Sequence, residues 1–382
     1  MIRGFSASYA GHVVDDNLGL QGTPANDRHY SNEQLSEAFA WALDIAQHLE
    51  SLGYDEFWMA EHHFQPEGYE CIPNLLMLSL YLATQTQKLK FGCGFNIAPM
   101  WHPLRLAEDF AMADILTKGR VMFGVGRGYH SREVETFGSP MLDGDANREL
   151  FEEQIEVILK AFNEEFFSHQ GKHYKIPARV PYRGYELEKI SLVPRPTHPV
   201  EIWQPLVSAN PRGVDFMARM GIKALIANTP QDALSGRVSM YQEAAASHGK
   251  QLKLGEDVAL GYRFFIGQTE QKAIDQARPY FEEGMKFAAP LGLMRLDQAQ
   301  IDAVANPGKF RGVELPTLES SSASKAWLCG PPELIVEHLK KVEEQYPGVE
   351  RINLGSVMGM PLQVFKDQLT RFAEGVMPSF SK

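Results

Sequence analysis

The sequence has few cysteines, no excess of basic charge and no long apolar run, and each of these features excludes a class of protein. It contains 382 residues but only three cysteines, Cys71, Cys93 and Cys329, and no C-x-x-C motif. Three scattered cysteines cannot form a disulfide framework, which favours a reducing, cytoplasmic location. The formal net charge of -11 argues against nucleic-acid binding, because nucleic-acid-binding proteins usually present a basic surface.

Signals for membranes, metals and nucleotides are also missing. No run of about 18 apolar residues occurs, so we expect no membrane-spanning helix. The first residues, MIRGFSASYAG, lack the apolar core of a signal peptide. There is no H-E-x-x-H motif, and neither a P-loop nor a dinucleotide-binding G-x-G-x-x-G stands in the right context. We therefore expect no membrane contact, no nucleic-acid partner and no catalytic metal.

Strand and helix patterns alternate along the chain, which is typical of a parallel α/β sheet. Eight strands are predicted, at 2–9, 54–59, 88–97, 120–125, 200–207, 222–227, 258–266 and 349–357. Eight strand–helix units favour a (β/α)8 TIM barrel over a doubly wound open sheet, and we predict a single domain over 1–382. Extra residues are expected after strands 1, 4, 5 and 7, with insertions at about 164–199 and 269–325.

Two predicted helices carry specific expectations. Ser31 is a good N-cap with Gln34 three residues later, so a helix is predicted over 32–52. Its apolar face is expected to contain Phe39, Leu43, Ala46 and residues 49–52. The helix over 74–87 is apolar almost all round. That pattern favours a subunit interface; the alternative is that an inserted segment of the same chain covers it.

Residues just past the strand ends share one rim of a barrel. The strand at 54–59 is followed by Glu61, His62 and His63. Adjacent histidines at this position are candidates for acid–base catalysis, because imidazole changes charge near neutral pH. The alternative is that one packs in the core and the other is solvated. Neighbouring side chains on an extended chain point apart, which disfavours one metal ion shared by both.

An anion site is indicated on the same rim. Arg127 lies between two glycines after the fourth strand, where open backbone amides and a guanidinium suit a phosphate. Ser208 stands close before the helix that begins near Pro211, and a helix N-terminus favours an anion. Together these residues suggest a phosphorylated cofactor.

Five motifs, in this order, resemble the bacterial luciferase-like flavin-dependent monooxygenases. They are AEHHF at 60–64, GCGFNIAPMWHP at 92–103, RLAED at 105–109, KGRVMFGVGRGYHSREVETFG at 118–138 and CGPPELIVEHLKK at 329–341. The resemblance covers nearly the whole chain and is weakest at 141–199 and 269–325. It implies a (β/α)8 barrel that binds FMN at the carboxyl ends of its strands. It also implies a dimer through helices two and three, in agreement with the apolar helix at 74–87.

The resemblance further implies roles for single residues. Arg127 matches an arginine that pairs with the FMN phosphate, Ser208 a serine that caps it, and Arg148 a nearby arginine, here after three extra residues. His62 matches the acid–base histidine of luciferase, and His63 matches its neighbour. Gly94 and Phe95 match a pair beneath the isoalloxazine, where the family often has a cis peptide. The remaining expected cofactor contacts are Glu61, Asn96, Tyr129 and Val207.

The implied function is an FMNH2- and O2-dependent monooxygenase of a two-component system. A separate NAD(P)H:flavin reductase would supply the reduced flavin, and a small organic substrate would be oxidised through a C4a-(hydro)peroxyflavin. Gly126, Val207 and Pro211 replace a cysteine, a glutamate and a threonine of luciferase, which disfavours light emission. The alternatives are an F420-dependent oxidoreductase and a non-catalytic flavin-binding homologue. The segment at 269–325 is either a lid over the flavin or a surface insertion.

Overall fold

A closed barrel forms the centre of the computed structural model, which describes residues 1–306, 308 and 312–380. Within these residues, eight parallel strands form the barrel wall: β1 (Gly4–Tyr9), β2 (Glu56–Met59), β3 (Lys90–Cys93), β4 (Val121–Gly126), β5 (Ile202–Pro205), β6 (Lys223–Ala227), β7 (Val258–Ile266) and β8 (Arg351–Leu354). Each strand pairs with the next, and β8 pairs with β1 to close the sheet. The predicted TIM barrel is confirmed.

Helices surround this barrel and follow the strands in turn. They are α1 (Asn32–Leu52), α2 (Leu75–Thr84), α3 (Pro103–Thr117), α4 (Gly144–Asn163), α5 (Pro211–Met220), α6 (Gln231–Ser247), α7 (Pro332–Gln345) and α8 (Leu362–Gly375). The capping box of Ser31 and Gln34 begins α1 as predicted. Among the helices of the described ranges, none is both long and apolar enough to cross a membrane.

The buried face of α1 differs from the prediction. Small side chains form much of it, and its members are Ala38, Ala42, Ile45, Ala46 and Leu49. Phe39 is 38% exposed, so its assignment to the buried face was wrong. This face of α1 packs against α2 and α8, and the larger Phe39 is left on the outer side.

The two predicted insertions contain regular structure. Residues 164–199 hold two short antiparallel hairpins, pairing at 169–176 and at 181–186. The second segment, 269–325, contains helices at Glu270–Ala288, Gln298–Ala305 and Leu318–Ala323. Positions 307 and 309–311 of this segment lie outside the described residues.

Two features of the chain were not predicted correctly. Only residues 206–210 connect β5 to α5, so the extra residues expected after strand 5 are absent there. A further strand, Trp327–Gly330, pairs with the second half of β7. The long β7 therefore pairs with β8 along its first half and with Trp327–Gly330 along its second half.

Candidate active site

A cavity of about 460 Å³ opens at the carboxyl ends of the strands β2 to β5. Most of the predicted site residues line it: Glu61, His62, Gly94, Phe95, Arg127, Tyr129, Arg148, Val207 and Ser208. The rim that the sequence predicted therefore brings together residues separated by about 150 positions in the chain. One end of the cavity is cationic, and the other holds a buried acid–base cluster.

Two predicted site residues do not line this cavity. The ring of His63 packs edge-on against Phe137, and its Nε2 lies 3.2 Å from Oε1 of Glu61. Asn96 is fully buried and donates from Nδ2 to the carbonyl of Gly124 at 2.9 Å. Both side chains are turned away because alternate residues along an extended chain point to opposite sides.

The cationic end is formed by two arginines. Nη1 of Arg127 donates to Oδ1 of Asn147 at 3.1 Å, and Asn147 returns a hydrogen bond to the carbonyl of Arg127 at 3.2 Å. Burial and the neighbouring charge of Arg148 lower the pKa of Arg127. Neither guanidinium has a carboxylate within ion-pair distance among the described residues. Two like charges held together in this way favour an anion between them.

The N-terminus of α5 lies beside these arginines. Asn210 caps the helix by accepting from the backbone N–H of Gly213 at 3.0 Å, and Ser208 lies exposed at the cavity. A β-carbon at Gly213 would come within 2.9 Å of Nη1 of Arg148. Glycine at this position therefore lets the guanidinium lie over the first turn of the helix, where the helix dipole also favours an anion.

Phe95 contributes to the wall between the two ends. The Gly94–Phe95 peptide bond is cis. The Phe95 ring lies 6.2 Å from the ring of Trp58, which fills the barrel interior. The Trp58 ring also leaves no room for a β-carbon at Gly92 of β3, two residues before Gly94.

His62 lies at the other end, held by a carboxylate on one side of its ring. Nδ1 is 3.2 Å from both carboxylate oxygens of Glu133. Glu133 also accepts from the backbone N–H of His63 at 3.0 Å and from Nε2 of Gln65 at 2.9 Å. These donors outweigh the effect of burial and lower the pKa of Glu133, so it stays a carboxylate.

The opposite side of the His62 ring faces two further groups. Nε2 lies 3.1 Å from Oε2 of Glu70 and 2.9 Å from the hydroxyl of Tyr129. Burial alone would lower the pKa of His62, but the charges of Glu70 and Glu133 outweigh it, and the pKa is raised. The two carboxylates therefore favour the imidazolium form of the ring.

Sequence reasoning did not identify Glu70 or Glu133. Glu133 lies within the motif at 118–138, 71 residues from His62 in the sequence. Only the folded chain brings the two side chains into contact. Glu70 follows the EHHF motif within the same loop, and no pattern marked it as buried. Among the described residues, no group of three or more His, Cys, Asp or Glu side chains is arranged to hold a metal ion.

Comparison with known proteins gives a family match over most of the chain. The family model for luciferase-like monooxygenases matches residues 19–348. The alkanal monooxygenase alpha chain of the Kryptophanaron alfredi symbiont is 26% identical over 255 residues, 66% of this chain and 66% of that protein. The oxygenase component of the flavin-dependent trigonelline monooxygenase of Acinetobacter baylyi is 23% identical over 347 residues, 89% of each chain. The match with an uncharacterised Sinorhizobium fredii protein, 25% identical, spans about half of that relative, 54% of its length and 53% of this chain.

Solved structures share the fold. The oxygenating constituent of 3,6-diketocamphane monooxygenase from Pseudomonas putida, a type II Baeyer–Villiger monooxygenase in complex with FMN, superposes with a TM-score of 0.72 at 19% identity, covering 99% of this chain and 98% of that one. An F420-dependent secondary alcohol dehydrogenase gives a TM-score of 0.70 at 16% identity, covering 100% of both chains. At these identities, the likeness concerns the fold alone.

Proposed function

The chain belongs to the luciferase-like monooxygenase family, and from this premise we propose that it is the oxygenase component of a two-component monooxygenase. The family predicted from the motifs is confirmed. The predicted enzyme class, a flavin-dependent monooxygenase, is confirmed at the level of the family. We further propose that the flavin is FMN, reduced by a separate NAD(P)H:flavin reductase. The substrate would be a small organic molecule.

The pair of arginines beside the α5 N-terminus carries this proposal. Arg127 and Arg148 lie at one end of the cavity without carboxylate partners among the described residues, and their repulsion needs an anion to offset it. A phosphate accepts hydrogen bonds from both guanidiniums and from the free amides of the helix. The residues present therefore fit the phosphate of FMN, with Ser208 as a further donor.

His62 is the proposed acid–base residue. Bound reduced FMN supplies the two electrons that activate O2. Glu133 at Nδ1 fixes the orientation of the ring, and its charge, with that of Glu70, raises the pKa of His62. General acid–base catalysis by such a group typically contributes about 10²–10⁴ in rate. His63 does not line the cavity, so we assign it a supporting role through its contact with Glu61.

The segment at 269–325 is proposed as part of a lid. Its Leu293 reaches the cavity, and its helix Glu270–Ala288 packs against β7 and the strand Trp327–Gly330. A cover of this kind excludes water from the reaction.

We also propose a homodimer and a single domain. Met77 of α2 is 70% exposed and Leu116 of α3 is 63% exposed, and these two helices pack side by side. Apolar side chains on adjoining helices suit burial against a second copy. The pairing of β1 with β8 joins the two ends of the chain and supports one domain. Three unpaired cysteines support a cytoplasmic location.

Anaerobic titration of the purified protein with reduced FMN, and separately with reduced F420, tests the proposed cofactor. We expect tight binding of FMN and weak binding of F420. Arg132→Ala is the control for substitution of Arg127 or Arg148, because Arg132 lies in the short helix Ser131–Thr136 after β4 and pairs with Glu67 at the surface. That variant should bind reduced FMN like the wild type.

Three results would change the proposal. Preferred binding of F420 would support the F420-dependent oxidoreductase. Binding of FMN without any reaction of its reduced form towards substrates would support a non-catalytic homologue. Binding of neither cofactor would contradict the assignment of the arginines to a cofactor phosphate.

A further inference from the structure

Glu70 is a buried carboxyl group in the cavity that the proposed function does not use. Its Oε2 lies 3.1 Å from Nε2 of His62 and 3.0 Å from the hydroxyl of Tyr129. The same hydroxyl lies 2.9 Å from Nε2 of His62. The three groups therefore form a closed triangle of polar atoms. The side chains of Glu70 and His62 are 6% and 5% exposed, so bulk water does not separate them.

Counting hydrogens limits how this triangle is filled. Nδ1 of His62 faces the Glu133 carboxylate, so Nδ1 carries a hydrogen and donates it. The Tyr129 hydroxyl has one hydrogen to donate. Two arrangements then satisfy the remaining contacts. In one, His62 is an imidazolium and Glu70 a carboxylate. In the other, His62 is neutral and Glu70 is a protonated carboxyl group.

We propose that Glu70 is a positioning residue that shares one proton with His62, an inference that rests on the proposed acid–base role of His62. In the shared step, the N–H bond at Nε2 breaks as an O–H bond forms on Oε2. The proton moves without any electron transfer, and the pair has no net charge before or after the step. The Tyr129 hydroxyl donates to the Glu70 carboxyl group in both arrangements, because in the second the single lone pair of Nε2 accepts the hydrogen on Oε2.

The two carboxyl groups beside His62 differ in a way that fits this assignment. Burial raises the pKa of Glu70, whereas hydrogen bonds to His62, Gln65 and the His63 backbone lower that of Glu133. The surroundings therefore favour the anionic form of Glu133 and the protonated form of Glu70. The other titratable or charged groups near the pair are Glu61 at the end of β2, Glu67 and Cys71 in the same loop, His130 after β4 and Arg263 of β7.

A pH titration of the His62 ring tests the shared proton. The full chain is labelled with ¹³C-histidine, and the Cε1–H signal of His62 is assigned by substitution and followed by NMR against pH. Glu70→Gln keeps the volume of the side chain but removes its charge. We expect the His62 midpoint to fall by about one pH unit or more, as for the loss of an opposite charge within about 4–6 Å.

Two further variants make the result decisive. Glu67→Gln, in the same loop but paired with Arg132, should leave the His62 midpoint unchanged. Glu70→Asp keeps the carboxylate but moves it away from His62 by one methylene, and should give a His62 midpoint between those of the wild type and Glu70→Gln. A wild-type midpoint in Glu70→Gln would overturn the proposal. If that variant does not fold, an unchanged midpoint in Glu70→Asp would overturn it.

The same titration is repeated with FMN bound. Comparing the results with and without FMN shows whether the proposed role of Glu70 or the proposed function has failed. The shared proton belongs to the chain itself, so the titration without flavin can succeed even where the protein fails to bind FMN. Conversely, FMN binding with an unshifted midpoint in Glu70→Gln would leave the proposed function standing and remove only the role of Glu70.

Discussion

The Nδ1 atom of His62 lies 3.2 Å from each carboxylate oxygen of Glu133, although His62 lies in the loop after β2 and Glu133 in the short helix Ser131–Thr136 after β4. This contact fixes which ring nitrogen faces the protein and which faces the cavity. It also places a carboxylate with a lowered pKa beside a ring that is proposed to give up and regain a proton.

Glu133→Gln should therefore alter the pH dependence of the reaction. Loss of the carboxylate lowers the pKa of His62, since opposite charge favours the imidazolium. If the imidazolium is the active form, activity is lost as pH rises through this pKa, so the loss begins at lower pH in the variant. We expect a fall of about tenfold or more at neutral pH. Steady-state rates against pH measure it, with the exposed Glu135→Gln as the control. An unchanged profile would contradict the role of Glu133.

Arg148→Ala should weaken FMN binding while leaving the fold intact. Hydrogen bonds to a charged group contribute about 1.5–3 kcal/mol each, which corresponds to about 10- to 100-fold in affinity. Flavin fluorescence during titration measures the affinity. Riboflavin, which lacks the phosphate, should bind the wild type and the variant alike. An equal loss for both flavins would place Arg148 away from the phosphate.

The exposed apolar residues of α2 and α3 predict the assembly. Met77→Glu with Leu116→Glu places charges where a second copy is proposed to pack, so the dimer should dissociate to monomers. Sedimentation velocity measures the change in mass. Phe39→Glu on α1 is the control, because Phe39 is also exposed but lies outside the proposed interface. Monomeric wild-type protein, or a dimer unaffected by the double substitution, would contradict the interface.

We expect Glu201, at the amino end of β5, to make a pH-dependent contribution to stability. Burial opposes its ionisation, but Lys223 and Arg351 outweigh burial and lower its pKa to about 2. A depressed pKa gives stability that is present above the ordinary value for glutamate and is lost as pH falls towards 2. Glu201→Gln should therefore lower the Tm near neutral pH, and the difference from the wild type should shrink in acid. A Tm difference that is independent of pH would contradict this ion pair as its source.

The elements set by local chemistry could be read from the sequence. The capping pair of Ser31 and Gln34 acts within a few residues, so the predicted bounds of α1 are confirmed. Phe39 was misplaced because a large apolar side chain suggests burial, while the alanines beside it form the actual contact face. The strand Trp327–Gly330 was missed because its partner is the distant second half of β7.

Residues that line the cavity could be predicted where a motif marks the end of a strand. Arg127 and His62 follow strands directly, and both line the cavity. His63 and Asn96 do not line the cavity, because the pleat of the chain decides which neighbour faces inwards and motif position does not reveal it. Glu133 contacts His62 from a different loop, and Glu70 contacts it only after the loop at 60–74 has folded back, so no local pattern marked either residue.

The most direct test of flavin-dependent oxygenation is to mix the anaerobic complex of protein and reduced FMN rapidly with air-saturated buffer. Oxygen consumption and the absorbance of oxidised FMN are recorded together. We expect oxygen to be consumed before the oxidised spectrum returns, with a lag that His62→Ala shortens. A time course identical to that of free reduced FMN would contradict the proposal that this chain controls the reaction of flavin with O2.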